Sequence, residues 1–420
     1  PPNLPSVEQA VSRQAYAGLL WSQQFYHYVV ADWINGDPTL PLASEVREKR
    51  INRDWQHLFS RDVLSVPDKW EYPAFFAWDL AFHMVPMARI DPESAKRQLL
   101  LLLREWYLHP NGQVPAFEYD FSNVNPPVHA WACWQVFVRT GGTDHEFLER
   151  AFHKLLLNFT WWVNRKDRSG CNVFEGGFLG LDNIDVFDRS APLPTGGYLE
   201  QADGTAWMAL FCENMLEIAV ELASTDSDYS DMAIKFMEHF FWIASSMTHL
   251  GQETSMWDDD DGFFYDVLRL PDGTAQRLKV RSMVGLLPLC AATVFHGEIL
   301  EKYPEHQERV RWFLQARPEV RAAIHDPGKI GVGSNRLASI LDEKKLRRVL
   351  EKMLDENEFL SSFGIRSLSR YHADHPYVFY AGGQEYRVGY LPAESDTGMF
   401  GGNSNWRGPI WLPVNALIIR

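Results

Sequence analysis

The densest set of chemically capable residues runs from Phe174 to Trp207. Two glycine pairs, Gly176-Gly177 and Gly196-Gly197, bracket Asp182, Asn183, Asp185 and Asp188, and Glu200 and Asp203 follow. Asp182 sits between Leu181 and Ile184. A carboxyl in apolar surroundings is harder to ionise, so it can hold a proton near neutral pH and hand it to a leaving oxygen. That is the task of a general acid. Turn formation or helix capping is the competing reading, most of all for Asp203, which stands at the start of an apolar helical run with Trp207 one turn on.

Four other loops carry candidate ligands. Trp78-Asp79 opens a helix and pairs a flat ring with a carboxylate. Glu118, Asp120 and Asn125 precede Pro126-Pro127. Arg281-Ser282 precedes an apolar run and offers a cation to a carboxylate. Gly401-Gly402 through Trp411 presents Asn403, Asn405, Trp406 and Arg407. The acid run Asp258 to Asp261 fails as a calcium loop, because Trp257 and Leu268 hold the positions that need Asp and Glu. It reads as a solvated turn. His372-Ala-Asp-His375 lacks the i, i+4 spacing of a zinc helix. No phosphate-binding loop, dinucleotide fingerprint or nucleophile elbow occurs, so no metal and no cofactor are expected.

The elements that must position these residues are helices. Apolar periodicity predicts them over 7–30, 76–89, 92–108, 128–140, 145–165, 203–224, 228–248, 282–297, 300–316 and 343–354, with a further helix beginning after 410. Ser6-Val-Glu-Gln9 reads as a capping box, and Asp91-Pro-Glu93 places proline in a first turn. The run from 203 is apolar nearly all round and belongs between two layers. No fixed repeat period argues for a solenoid. The expected fold is therefore all-α, a toroid of inner and outer helices whose long loops line a central funnel, as a single catalytic barrel over 1–420. The chain is expected to continue past Arg420 and to lack an N-terminal domain.

Composition narrows the partners. The net charge of -15 argues against nucleic acid and anionic membranes. The 16 tryptophans suit a surface that stacks sugar rings. Cys133, Cys171, Cys212 and Cys290 form no CxxC pair and read as buried thiols. No apolar run reaches membrane-spanning length, and no signal peptide precedes the first helix. A cytoplasmic location is the expectation.

Taken in order, Trp78-Asp79, Asn125-Pro-Pro127, Gly180-Leu-Asp182-Asn183, Glu200-Gln-Ala-Asp203, Arg281-Ser-Met-Val-Gly285 and Asn405-Trp-Arg-Gly-Pro-Ile-Trp411 resemble glycoside hydrolase family 63, closest to its bacterial members related to processing α-glucosidase I. The resemblance implies an (α/α)6 barrel and inversion at the anomeric carbon. It implies that Asp182 is the general acid and that the general base lies downstream of the Trp-Arg-Gly-Pro motif, beyond Arg420. Glu385 and Glu394 lie upstream of that position. Asp79, Glu118, Asp120, Asn125, Asn183 and Asp203 would hold hydroxyls of the terminal sugar, while Trp78, Trp207, Arg281, Trp406 and Arg407 would shape the pocket. Inverting enzymes keep their carboxyls roughly 6.5–9.5 Å apart to admit a water.

The implied activity is inverting, exo-acting hydrolysis of α-glycosides. α-Glucosides lead, with α-mannosides and glycosylglycerates open. Three rivals stay open as well. A toroidal phosphorylase would need Arg281 and Arg407 around phosphate. A sugar 2-epimerase would need two histidines, here His83 and His129. A non-catalytic carbohydrate-binding protein would need no acid at all.

Overall fold

The computed structural model describes residues 4–40, 55–117, 123–177, 179–248, 254–391, 407–408 and 410–420. The chain forms two compact units, Pro1–Trp162 and Val163–Arg420.

In the first unit, the helix Ser6–Trp21 ends at Ser22, and the chain turns into the strand Gln23–Val29. The expected helix over 7–30 is therefore a helix followed by a strand. Phe25, Tyr26, Tyr28 and Val29 favour an extended backbone, and pairing with Phe59–Ser65 from Gln23↔Ser65 to Val29↔Phe59 secures it. The capping box does not form. The Pro5 carbonyl accepts from Gln9 N at 3.0 Å, so Ser6 already lies inside the first turn, and the Gln9 side chain donates to the Leu4 carbonyl instead.

The helices Ala77–Met87, Pro92–Leu101 and His129–Arg139 pack on one another. Asp91 caps the second of them by accepting from Ser94 N at 2.9 Å, with Pro92 in its first turn as expected. The helix His145–Arg165 crosses the boundary between the units.

The second unit is organised by the helix Ala202–Ala223, buried along nearly its whole length. It packs on Tyr229–Ser246 and on the short turns Met283–Gly285 and Leu287–Cys290. The helix expected over 282–297 is thus two 3₁₀ turns and the strand Ala292–Phe295. Pro288 removes a donor, and Thr293 and Val294 pair with Arg336–Ser339. Helices continue through Gly297–Lys302, Pro304–Ala316, Pro318–Ala323, Glu343–Met353 and Leu412–Ile419.

Helices dominate, but among the described residues there are also six small antiparallel sheets, so the fold is not purely α. One of them matters for chemistry. Asp266–Arg269 lies between Tyr198–Glu200 and Ala275–Leu278, directly before the buried helix begins. Cys133, Cys212 and Cys290 are buried as expected, whereas Cys171 is exposed in a turn after Ser169-Gly170. Among the described residues no helix is long and apolar enough to cross a membrane.

Candidate active site

The loop 174–189 is built onto the start of the helix Ala202–Ala223. Gln201, just before the helix, accepts from Gly176 N at 2.5 Å and Gly177 N at 2.8 Å, and donates to the Gly177 carbonyl at 3.0 Å. Thr205 accepts from Phe174 N at 2.9 Å. The approach is close, since a Cβ on Gly204 would lie 3.1 Å from the Phe174 carbonyl oxygen. Leu179 (φ 44°) and Gly180 (φ 70°) are both left-handed. For leucine that conformation costs about 1–2 kcal/mol. The strained residue is fully buried and stands three places before Asp182.

Beyond the turn, Val186 and Phe187 insert into an apolar cluster with Leu199, Leu268, Leu278 and Leu368. Phe187 packs edge-on against Tyr386 at 5.0 Å and Phe379 at 5.4 Å. Asp182 is half-buried between the strained turn and this anchor. Its carbonyl accepts from Arg189 N at 2.9 Å. Its Oδ1 is buried and has no hydrogen-bond partner among the described residues. Burial raises the Asp182 carboxyl above the usual range, and the charge of exposed Asp188 adds to the rise.

Beneath the loop, one guanidinium faces three carboxyls. Arg189 Nη2 is 2.5 Å from Asp203 Oδ1, and both side chains are almost wholly buried. Asp266, on the central strand, accepts from Ala202 N at 2.6 Å and so caps the first free N–H of the long helix. Burial pushes Asp185 up to about 6 and Asp266 well above its ordinary value, with Arg189 opposing both. Nε and Nη1 of Arg189 and one oxygen each of Asp203 and Asp266 are buried without a hydrogen-bond partner among the described residues.

Arg407 reaches the same loop from far along the chain and is 2% exposed. Nε donates to the Asn183 carbonyl at 2.8 Å, Nη2 to the Asp185 carbonyl at 2.6 Å and Nη1 to the Arg387 carbonyl at 3.3 Å. Asn183 is itself buried. The structure thus brings Asp182, Asn183, Asp203 and Arg407 together. It adds Arg189 and Asp266, which the sequence reading had not put forward. Their signal was an Arg seven residues after Asp182, and an Asp on an apolar strand at the end of an acid run. Of the run Asp258 to Asp261, Asp259 and Asp260 are exposed, as a solvated turn requires, whereas Asp258 is buried.

Two sequence candidates sit elsewhere in this unit. Trp207 lies inside the buried helix, 1% exposed. Arg281 binds Glu358 Oε1 at 2.5 Å, lies 3.7 Å from Asp261 Oδ1, and stacks 4.0 Å over the Tyr371 ring.

In the first unit, the Asn125 side-chain oxygen accepts from Trp78 N at 3.3 Å. This joins the two loops that the sequence put forward. Trp78, Phe82 and Trp131 form a row of rings at 5.9 and 5.4 Å spacing. Asp79 follows Trp78 in the first helical turn and forms no ion pair among the described residues. Burial pushes its carboxyl up to about 7. His83 and His129 are pushed down to about 4 by burial, so both are neutral at physiological pH. His129 Nε2 lies 2.7 Å from the Leu99 carbonyl and must be its donor. Glu118, Asp120 and Trp406, with Asn403, Asn405 and Glu394, lie outside the described residues.

Residues 72–192, which include Trp78-Asp79, Asn125 and Asp182, match a family model described as the mannosylglycerate hydrolase MGH1-like glycoside hydrolase domain. The structure is similar to that of the GH63 mannosylglycerate hydrolase from Thermus thermophilus in complex with Tris. The TM-score is 0.52 and the identity 16%, over 87% of this chain and 84% of that one. The resemblance to glycoside hydrolase family 63 holds at the level of the fold. The glucose complex of the same hydrolase gives a TM-score of 0.51 at 17% identity, covering 84% of this chain and 81% of that one.

Among curated proteins, the "Uncharacterized protein YMR196W" of Saccharomyces cerevisiae is 52% identical over 428 residues. The match takes in 98% of this chain and 39% of that protein. An "Uncharacterized protein" of Borreliella burgdorferi is 20% identical over 232 residues, 55% of this chain and 43% of that one. The chain thus spans about two fifths of the length of the curated relatives it matches.

Proposed function

We propose that this chain contributes the acid-bearing part of an inverting, exo-acting α-glycoside hydrolase built on an (α/α)6 barrel. The observation that carries the reading is the Asp182 carboxyl. It is half-buried, its acidity is weakened by burial and by Asp188, and its Oδ1 is free of internal partners among the described residues. A protonated carboxyl with an oxygen unclaimed by the fold can protonate a glycosidic oxygen as the bond breaks. A water on the opposite face then attacks the anomeric carbon, and its proton passes to a carboxylate base that we assign to none of the described residues. Asp79, Asn125, Asn183 and Asp203, with Glu118 and Asp120, are the proposed partners of sugar hydroxyls. Trp78 and Trp406 are the proposed ring platforms, and Arg281 and Trp207 supporting residues.

The sequence motifs favour α-glucosides. The description of the matched family model favours small α-mannosyl conjugates such as mannosylglycerate. One experiment separates them. The full-length protein is given α-glucosides, α-mannosides and α-mannosylglycerate in phosphate-free buffer, and the first-formed anomer is read by NMR. The expected result is a β-anomer from an α-linked donor, lost in Asp182→Asn. Retention of configuration, a requirement for phosphate, or full activity in Asp182→Asn overturns the reading.

A further inference from the structure

Arg407 occurs in the Gly-rich segment whose residue types suggested ligand contact, yet its guanidinium is turned into the protein. Two of its hydrogen bonds go to the carbonyls of Asn183 and Asp185, at 2.8 and 2.6 Å. These carbonyls lie one and three residues after Asp182. Their loop leaves a left-handed turn at Leu179-Gly180 and is fixed on its far side by Phe187 and by the Arg189–Asp203 pair. Between these anchors, Arg407 supplies side-chain donors to the backbone carbonyls of 183 and 185.

We propose that Arg407 is the positioning residue for the Asp182 carboxyl. Its planar fork bridges two carbonyls and fixes the direction in which residue 182 leaves the backbone. This rests on the assignment of Asp182 as general acid. A lysine keeps the charge but offers a single ammonium, which cannot reproduce the two bonds from separate nitrogens of the fork. With Lys at 407, at least one buried carbonyl loses its donor, and the loop relaxes to recover it. Misplacement of a catalytic group by about 1 Å can cost on the order of 100-fold in rate.

The test compares the full-length wild type, Arg407→Lys and Arg407→Ala on two donors of one sugar. Methyl α-glycosides of mannose and glucose leave as poor alkoxides and need the acid. The matching α-glycosyl fluorides depart with little help from it. The expected result for Arg407→Lys is a loss in kcat of about 10–100-fold on the methyl glycoside, with KM nearly unchanged and a much smaller loss on the fluoride. Equal losses on both donors, or no loss on either, overturn the proposal.

A second readout does not depend on turnover. The Asp182 carboxyl is titrated by carbon-13 NMR in the folded wild type and in Arg407→Lys. Its pKa should fall toward the ordinary aspartate range once the loop admits water. An unchanged titration in a folded Arg407→Lys protein overturns the positioning role. If the wild type cleaves no glycoside, the hydrolase reading fails by itself, and the titration still decides whether Arg407 sets the carboxyl's surroundings.

Discussion

Asp79 and Asp203 look alike in the sequence and end in opposite electrostatic situations. Each stands in the first turn of a helix, Ala77–Met87 and Ala202–Ala223 respectively, close to a tryptophan. Asp203 has Arg189 at 2.5 Å and shares that guanidinium's field with Asp185 and Asp266. Asp79 has no ion-pair partner among the described residues, and burial pushes its carboxyl up to about 7. Position in a helix therefore does not decide what a buried carboxylate does. The cation that tertiary packing brings to it, or fails to bring, decides.

The comparison can be broken most forcefully at the proposed acid. Asp182→Asn should lower kcat on a methyl α-glycoside by about 100–10,000-fold while leaving the melting temperature equal or higher, since a carboxyl disfavoured by burial is replaced by a neutral amide. Kinetics and thermal melting measure the two effects separately. Next comes the paired side. Arg189→Met strands three buried carboxyls and should destabilise the protein by about 3–5 kcal/mol in urea denaturation. Adding Asp203→Asn should recover part of that loss. If the single substitution is neutral, the cluster is not held by Arg189.

On the unpaired side, a folded pKa raised above the unfolded one means that the folded state binds the proton more tightly. Stability attached to Asp79 is then fully present below about 3.8 and falls as pH rises toward 7. Asp79→Asn should raise the melting temperature at pH 8 by several degrees, and the gain should shrink to nothing near pH 4. An equal gain at both values would place the cause elsewhere. The smallest expected effect belongs to exposed Asp188. Its charge raises the Asp182 pKa, so Asp188→Asn should shift the alkaline limb of the pH–rate profile slightly acidward without changing KM. A shift in the other direction would contradict the electrostatics described.

Sequence alone was enough for much of this. The periodic helices at 145–165, 203–224 and 228–248 appear with bounds within about two residues, because each buries a long apolar face whose pattern is local. Pro92 stands in the first turn of its helix as expected, for the same local reason. The raised pKa of Asp182 was readable because its apolar neighbours are adjacent in the chain. Three things were decided only by folding. The strand Gln23–Val29 depends on a partner more than thirty residues away, so its apolar run passed for helix. The buried state of Asp266 depends on the helix start that it caps at Ala202. The direction of Arg407 depends on carbonyls more than two hundred residues earlier. Residue type told that a guanidinium was available, and only tertiary structure could tell which oxygens it would meet, because desolvation and partner distance are properties of the packed chain.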